Sequence, residues 1–129
     1  MIVRNNNPRK QGDAGVALAI AWFATNSYTV CIPLTDSQPY DLVVDNGDGL
    51  QRVFIRTSTQ DKGGGNFEVG LRTQGGNKSQ FKIKHFDKKN SDLVFVACSN
   101  GNQYLIPTGD IDCISSITVG KKYAQYRVQ

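Results

Sequence analysis

Residues 40–58 read YDLVVDNGDGLQRVFIRTS. Two apolar, β-branched runs flank Asn46-Gly47-Asp48-Gly49. Asn-Gly between such runs is a strong hairpin signal, because both residues accept positive φ. The spacing predicts strands near 40–45 and 50–59. A loop of two residues (Gly47-Asp48) or four (Asn46 to Gly49) leaves one register, with Asp41 opposite Phe54. Arg52 and Arg56 then share that face at the diagonals, whereas a three-residue bulged loop breaks the pairing. The hairpin thus gathers an acid, a phenyl ring and two guanidinium groups, and the question of function starts there.

The surrounding chain sets limits on that question. It has 129 residues, enough for one compact domain over 1–129. Hydrophobic content of 39% with 20% charge is that of a folded chain rather than a disordered one. The net charge of +4 permits a nucleic-acid partner without demanding one. No apolar run reaches the roughly 18 residues a membrane span needs, and Asn5, Asn6 and Asn7 stand where a signal peptide would be apolar. Cys31, Cys98 and Cys113 are odd in number and widely spaced, as free thiols in a reducing compartment are. The expectation is a cytoplasmic protein with no membrane partner. With one His and no CxxC pair, the chain lacks a zinc motif.

Upstream of the hairpin, Asn7-Pro8 suits a helix start, since Asn caps and Pro fits the first turn. A helix is predicted from about residue 8 to 25, apolar nearly all round after Gly12 and therefore largely buried. A first strand is expected over 28–34, ended by Pro33. Downstream, Gly63-Gly64-Gly65 reads as a flexible turn; it has no Gly-Lys-Ser/Thr after it and is not a phosphate loop. Phe67 to Thr73 alternates as a fourth strand. Residues 81–91 carry Lys82, Lys84, Lys88 and Lys89 interleaved with Phe81, Ile83 and Phe86, and a short helix is expected there. Leu93 to Cys98 reads as a buried strand, returning through Ser99–Asn102 to a strand ended by Pro107. Thr108 to 114 suits a helical turn, and 116–129 has β character. This order predicts an α/β fold with one mixed sheet.

A carboxylate at the start of one hairpin strand and a polar-x-basic pair on the next is how many nucleases hold Mg²⁺, which needs hard oxygen ligands. At this point the chain resembles the PD-(D/E)XK nuclease superfamily, and within it the group I intron-associated homing endonuclease branch. The residues that carry the resemblance are Gly12-Asp13-Ala14-Gly15 on the helix and Pro33 after it. With them go Gln38-Pro39-Tyr40-Asp41-Leu42-Val43-Val44-Asp45 and Arg52-Val53-Phe54-Ile55-Arg56-Thr57-Ser58. Asp92 to Val96 and Tyr104 to Pro107 fit the branch's later strands. The resemblance implies a restriction-endonuclease-like core: a helix, an antiparallel hairpin sheet, a crossover helix and further strands.

The chain departs from the branch at three of its four positions. Val16 stands where a helix Glu is usual, Phe54 where Gln or Glu is usual, and Arg56 where Lys is usual; Asp41 is kept. Val and Phe cannot ligate a metal, and Arg, with a pKa above about 12, cannot act as a base although it can hold a phosphate. The first expectation is therefore a degraded catalytic site of Asp41 and Arg56, with Val16 and Phe54 in the other places. Such a protein binds DNA, or a partner, without efficient cleavage. Arg52, Ser58, Lys82, Lys84, Lys88 and Lys89 are the candidate nucleic-acid contacts. The alternative is an active Mg²⁺-dependent endonuclease whose site is rebuilt, with Asp41 and Glu68 as metal ligands and Lys62 nearby. A third reading is an oligomeric scaffold, since the resembling enzymes are homo-oligomers. The plain readings stand beside these: Asp41 paired with Arg52 or Arg56, Phe54 as core filling, Glu68 as a solvated strand position, the lysines as a solvated face and His85 as incidental.

Overall fold

The computed structural model describes residues 7–74 and 83–129. Residues 1–6, and Phe81 and Lys82 of the basic segment, lie outside the described residues. Helix α1 runs Pro8–Thr25, and the Asn7 side chain accepts the Arg9 and Lys10 N–H groups at 3.0 and 3.5 Å. This is the cap the sequence predicts: it satisfies N–H donors that have no partner within the helix.

Among the described residues eleven strands follow: β1 (Thr29–Cys31), β2 (Leu42–Asp45), β3 (Leu50–Ser58), β4 (Gln60–Asp61), β5 (Phe67–Gly70), β6 (Thr73–Gln74), β7 (Ile83–Lys84), β8 (Leu93–Cys98), β9 (Gln103–Pro107), β10 (Ser116–Val119) and β11 (Arg127–Val128). The main sheet has the order β1-β2-β3-β8-β9-β11. All its pairs are antiparallel except β3 with β8, which run parallel from Val53↔Leu93 to Ser58↔Cys98. A smaller sheet, β10-β5-β4, lies on one face, and α1 lies on the other.

The two cores follow from alternation along β3. Val53 and Ile55 face α1 and join Ala19, Phe23, Leu42, Val44, Phe95 and Ala97. Phe54 faces the small sheet and joins Phe67, Val69, Leu71, Val94, Val96, Ile106 and Ile117. All six residues of β8 are buried, because both faces of this central strand are covered. Cys98 ends that strand in the core, and burial pushes its thiol up to about 12, so it is inert at neutral pH.

The hairpin has the four-residue loop. Leu42 pairs with Val53 and Asp45 with Leu50, leaving Asn46 to Gly49 between them. Asp45 Oδ1 accepts the Gly47 and Gly49 N–H groups, and both glycines have positive φ, 103° and 129°. The carboxylate thus supplies the turn's hydrogen bonds while glycine supplies its backbone shape.

Four expectations change. The helix is not buried all round: Gly15, Ala19 and Phe23 form one buried stripe, while Ala17, Ala21 and Ala24 are exposed. It is an outer layer with nothing beyond it. The first strand stops at Cys31, short of Pro33, which has no N–H to donate to a ladder. The strand from Phe67 ends at Gly70, opposite Ser116, the first residue of its antiparallel partner β10. The crossover from β3 to β8 passes through β4 to β7 and a 3-10 turn, Lys88–Asn90, not an α-helix, within the described residues. Phe86 is buried there, its N–H donates to the Ile114 carbonyl at 3.0 Å, and Asp87 caps the turn through Lys89 N–H. One long-range bond and one local cap stand here in place of the i to i−4 ladder.

The glycine turn is also more fixed than its composition predicts. Lys62 N–H reaches the Asn66 carbonyl at 2.7 Å, and Asn66 Oδ1 accepts Lys121 N–H at 3.1 Å. The second of these ties the turn to the strand end after β10.

Candidate functional site

A cleft of about 470 Å³ opens beside the hairpin, with Asp41, Phe54 and Arg56 in its wall. Asp36, Ser37 and Gln38 from the loop before β2 line one side, and Lys84, His85, Phe86, Asp87 and Asn90 line the other. The predicted trio is therefore brought together, at the place where β2 begins and β3 continues past it.

That offset explains the position of Asp41. The Ile55 N–H points toward β2 but lies beyond its first residue, Leu42, which pairs with Val53. Asp41 Oδ2 accepts that N–H at 2.7 Å, while Asp41 N–H donates to the Val53 carbonyl at 2.8 Å. As a residue Asp41 is exposed at the mouth of the cleft, but this carboxylate oxygen reaches the crowded floor. Burial of the carboxyl raises its pKa; the Ile55 N–H and the positive charge of Arg56 oppose the rise without cancelling it.

Phe54 is only 7% exposed and stacks against Phe86 with ring centroids 5.3 Å apart. The Arg56 guanidinium carbon sits 4.4 Å from the centroid of the Phe54 ring, a cation–π contact. Arg56 also donates to the Arg72 carbonyl at 3.4 Å, and its Nε–H is buried without a partner. Burial lowers the Arg56 pKa and the Asp41 carboxylate works against that. No ion pair closer than 4.0 Å joins the two, so Arg56 is a cation held over an aromatic floor rather than the salt-bridge partner of Asp41.

The other expected residues scatter. Val16 packs at the edge of the helix-side core, on the far face of the sheet from Phe54. Ser58 is buried, its hydroxyl donating to the Glu68 carbonyl and accepting Gln60 N–H, which leaves it no face for DNA. Glu68 pairs with Lys62 at 3.1 Å and lines a separate, smaller cleft with Gln60, Arg72 and Ser116. The structure thus keeps Lys62 and Glu68 together but not Glu68 with Asp41. Arg52 does not face Asp41 either: it forks onto Asp92. Lys84, Lys88 and Lys89 are exposed beside the cleft, and Lys82 lies outside the described residues. Sequence reasoning missed Gln38, Asp87 and Asn90 as cleft residues. Gln38 stood in the quoted motif, but Asp87 and Asn90 come from 30 or more positions downstream and carried no signal of their own.

A helix over one face of a hairpin sheet, a parallel strand beside the hairpin and an acid just before β2 make up a restriction-endonuclease-like scaffold. The chain belongs to the PD-(D/E)XK endonuclease family, whose model matches residues 6–126. No curated protein matches it significantly. Among solved structures, the bacterial homing endonuclease I-Ssp6803I is similar with a TM-score of 0.78. The match covers 95% of this chain and 89% of that one at 22% identity, a likeness of fold.

Members of this family generally use divalent metals. The side chains that adjoin Asp41 do not fit one, although Asp36 and Asp87 also line the cleft. Mg²⁺ needs several hard oxygen ligands. Asp41 offers one carboxylate with an oxygen already committed to Ile55 N–H, and its neighbours are a phenyl ring and a guanidinium. Among the described residues, no three His, Cys, Asp or Glu side chains are gathered as a metal centre requires.

An acid held in this way has a testable pH signature. Its folded pKa lies above the ordinary value of 3.8. The folded state therefore binds the proton more tightly, and stability falls as pH rises from about the unfolded value through the folded one, then stays level. Asp41→Asn keeps an oxygen for Ile55 N–H and removes the charge. Its melting temperature is expected to exceed that of the wild type at pH 7, with the difference closing as pH falls through the folded pKa. A lower melting temperature for the variant at pH 7 would mean that the carboxylate is stabilised as an anion.

Proposed function

We propose that this protein uses a nuclease scaffold to bind DNA without cutting it efficiently. The observation that carries the reading is the pair at the centre of the cleft. Phe54 fills the core where the resembling enzymes place an oxygen ligand, and Arg56 lies over its ring. Neither of these neighbours offers Asp41 a second oxygen ligand for Mg²⁺, and Arg56 cannot serve as the catalytic base. Binding remains chemically reasonable. Arg56 provides a permanent positive charge inside the cleft, and Lys84, Lys88 and Lys89 are exposed on one side of it. The exposed Cys31 and Cys113 suit a reducing compartment such as the cytoplasm. Among the described residues, no helix is long and apolar enough to cross a membrane.

Two measurements test this. Supercoiled plasmid incubated with Mg²⁺ or Mn²⁺ is expected to stay uncut. Duplex binding is expected to weaken linearly in log–log form as salt rises, with a slope of about −0.9 per phosphate contact. Metal-dependent nicking that Asp41→Ala abolishes would overturn the reading in favour of an active endonuclease. Binding that ignores salt would favour a scaffold role.

A further inference from the structure

Arg52 stands on β3, two residues before Phe54, but its guanidinium is turned away from the cleft. Its Nε–H donates to Asp92 Oδ2 at 3.2 Å, one Nη2 hydrogen to Asp92 Oδ1 at 3.3 Å, and one Nη1 hydrogen to the Lys89 carbonyl at 2.9 Å. The backbones repeat the link. Arg52 N–H donates to Asp92 Oδ2 at 2.8 Å, and Asp92 N–H donates to the Arg52 carbonyl at 2.9 Å. Three of the five guanidinium donors are used, in the fork geometry that Arg offers and Lys does not.

What the fork holds is the 3-10 turn Lys88–Asn90. That turn is three residues long and presents Lys88 and Lys89 to solvent; Asp87 before it and Asn90, its last residue, line the cleft. A turn this short has little internal stability. Its other ties are the Asp87 cap to Lys89 N–H at 2.9 Å and Asn90 N–H to the Asp87 carbonyl at 3.0 Å, both local. The bond from Arg52 to the Lys89 carbonyl is the side-chain link from the turn to the sheet.

We propose that Arg52 is a positioning residue: by clamping the Lys88–Asn90 turn through Asp92 and the Lys89 carbonyl, it holds Lys88 and Lys89 where they meet a DNA backbone at the cleft mouth. This rests on the DNA-binding reading above. It assigns Arg52 an indirect part, in place of the direct phosphate contact expected from sequence. The physical basis is preorganisation: two flexible lysines on an anchored turn lose less freedom on binding than the same lysines on a loose one.

Three variants separate the indirect part from a direct one, with binding of a labelled duplex measured across a salt series. Arg52→Lys keeps the charge and loses the fork. It is expected to weaken binding and to flatten the salt slope toward that of the Lys88→Ala/Lys89→Ala double variant. Two phosphate contacts correspond to a change of about 1.8 in slope. Combining Arg52→Lys with the double variant is expected to add little further loss, because both changes remove the same contacts. Asp92→Asn makes the protein more positive, which by charge alone strengthens binding to DNA; the proposal expects it to bind more weakly. Circular dichroism and thermal melting confirm that each variant is folded, and Asp92→Asn serves if Arg52→Lys is not. Wild-type slope and affinity in Arg52→Lys, additive losses in the combined variant, or tighter binding by Asp92→Asn would overturn the clamp while leaving DNA binding intact. Absence of salt-dependent binding by the wild type would overturn both.

Discussion

Replacing Phe54 with alanine is expected to lower the unfolding free energy by about 3–5 kcal/mol, the usual cost of removing a fully packed phenyl ring. The ring is 7% exposed, contacts Phe86 with the ring planes tilted by 42° and centroids 5.3 Å apart, and belongs to the same core as Phe67, Val69 and Leu71. Neighbouring strands hold these partners in register, so the vacated space has little chance to collapse. The loss is a large fraction of the roughly 5–15 kcal/mol that holds a domain together. Urea unfolding monitored by circular dichroism gives the value directly. A second consequence concerns Arg56. Its guanidinium loses the aromatic floor 4.4 Å below it and becomes free to turn toward Asp41. The Asp41 pKa is then expected to fall, since an opposite charge at closer range favours the anion. A loss below about 1 kcal/mol would show that the ring is not core, and would reopen a stacking role for it.

Gly15→Ala is expected to destabilise by about 1–3 kcal/mol, the usual range for overpacking a close contact. A Cβ built at Gly15 falls well inside 3.0 Å of Thr57 Cγ2 and 3.6 Å from Ile55 Cγ2. Two effects oppose each other. Alanine favours the helix over glycine by about 1 kcal/mol. Against this, Thr57 is β-branched and stiff at χ1, and its hydroxyl accepts Gln11 Nε2–H at 3.1 Å. Thr57 can move aside only by breaking that bond or pushing α1 off β3. The clash therefore outweighs the propensity. Thermal melting checks it, and a simultaneous Thr57→Ser change, which removes the obstructing methyl and keeps the hydroxyl, is expected to recover most of the loss. An unchanged melting temperature for Gly15→Ala alone would mean that the helix has room to shift.

The same contact sets where Val16 lies. Gly15 sets α1 close against Ile55 and Thr57, on the face of β3 opposite Phe54. Val16, the next residue, packs at the edge of that face. A valine there adds apolar contact and nothing to the cleft.

Local signals in the chain were enough for the helix start at Asn7-Pro8, the hairpin turn and the register that sets Asp41 beside Phe54 and Arg56, and the return of β8 through β9; the choice of a four-residue over a two-residue loop came from the structure. Each depends on residues a few positions apart, where caps, turn residues and alternation act directly on the backbone. The extent of helix burial and the form of the crossover were not legible. Both depend on which surfaces the rest of the chain covers.

For the site, residue order alone puts one acid, one phenyl ring and one guanidinium on a hairpin face, with no second oxygen ligand opposite or diagonal to that acid on the hairpin. Only the tertiary structure decided how these are used. Parallel pairing of β3 with β8 brings Asp92 to Arg52 across 40 positions, taking that arginine away from Asp41. Packing of the small sheet and Phe86 closes over Phe54 and turns Arg56 across its ring. Glu68 is kept with Lys62 in another cleft. Short-range backbone preferences can set a register, but which charges meet depends on the surfaces that long-range packing brings together.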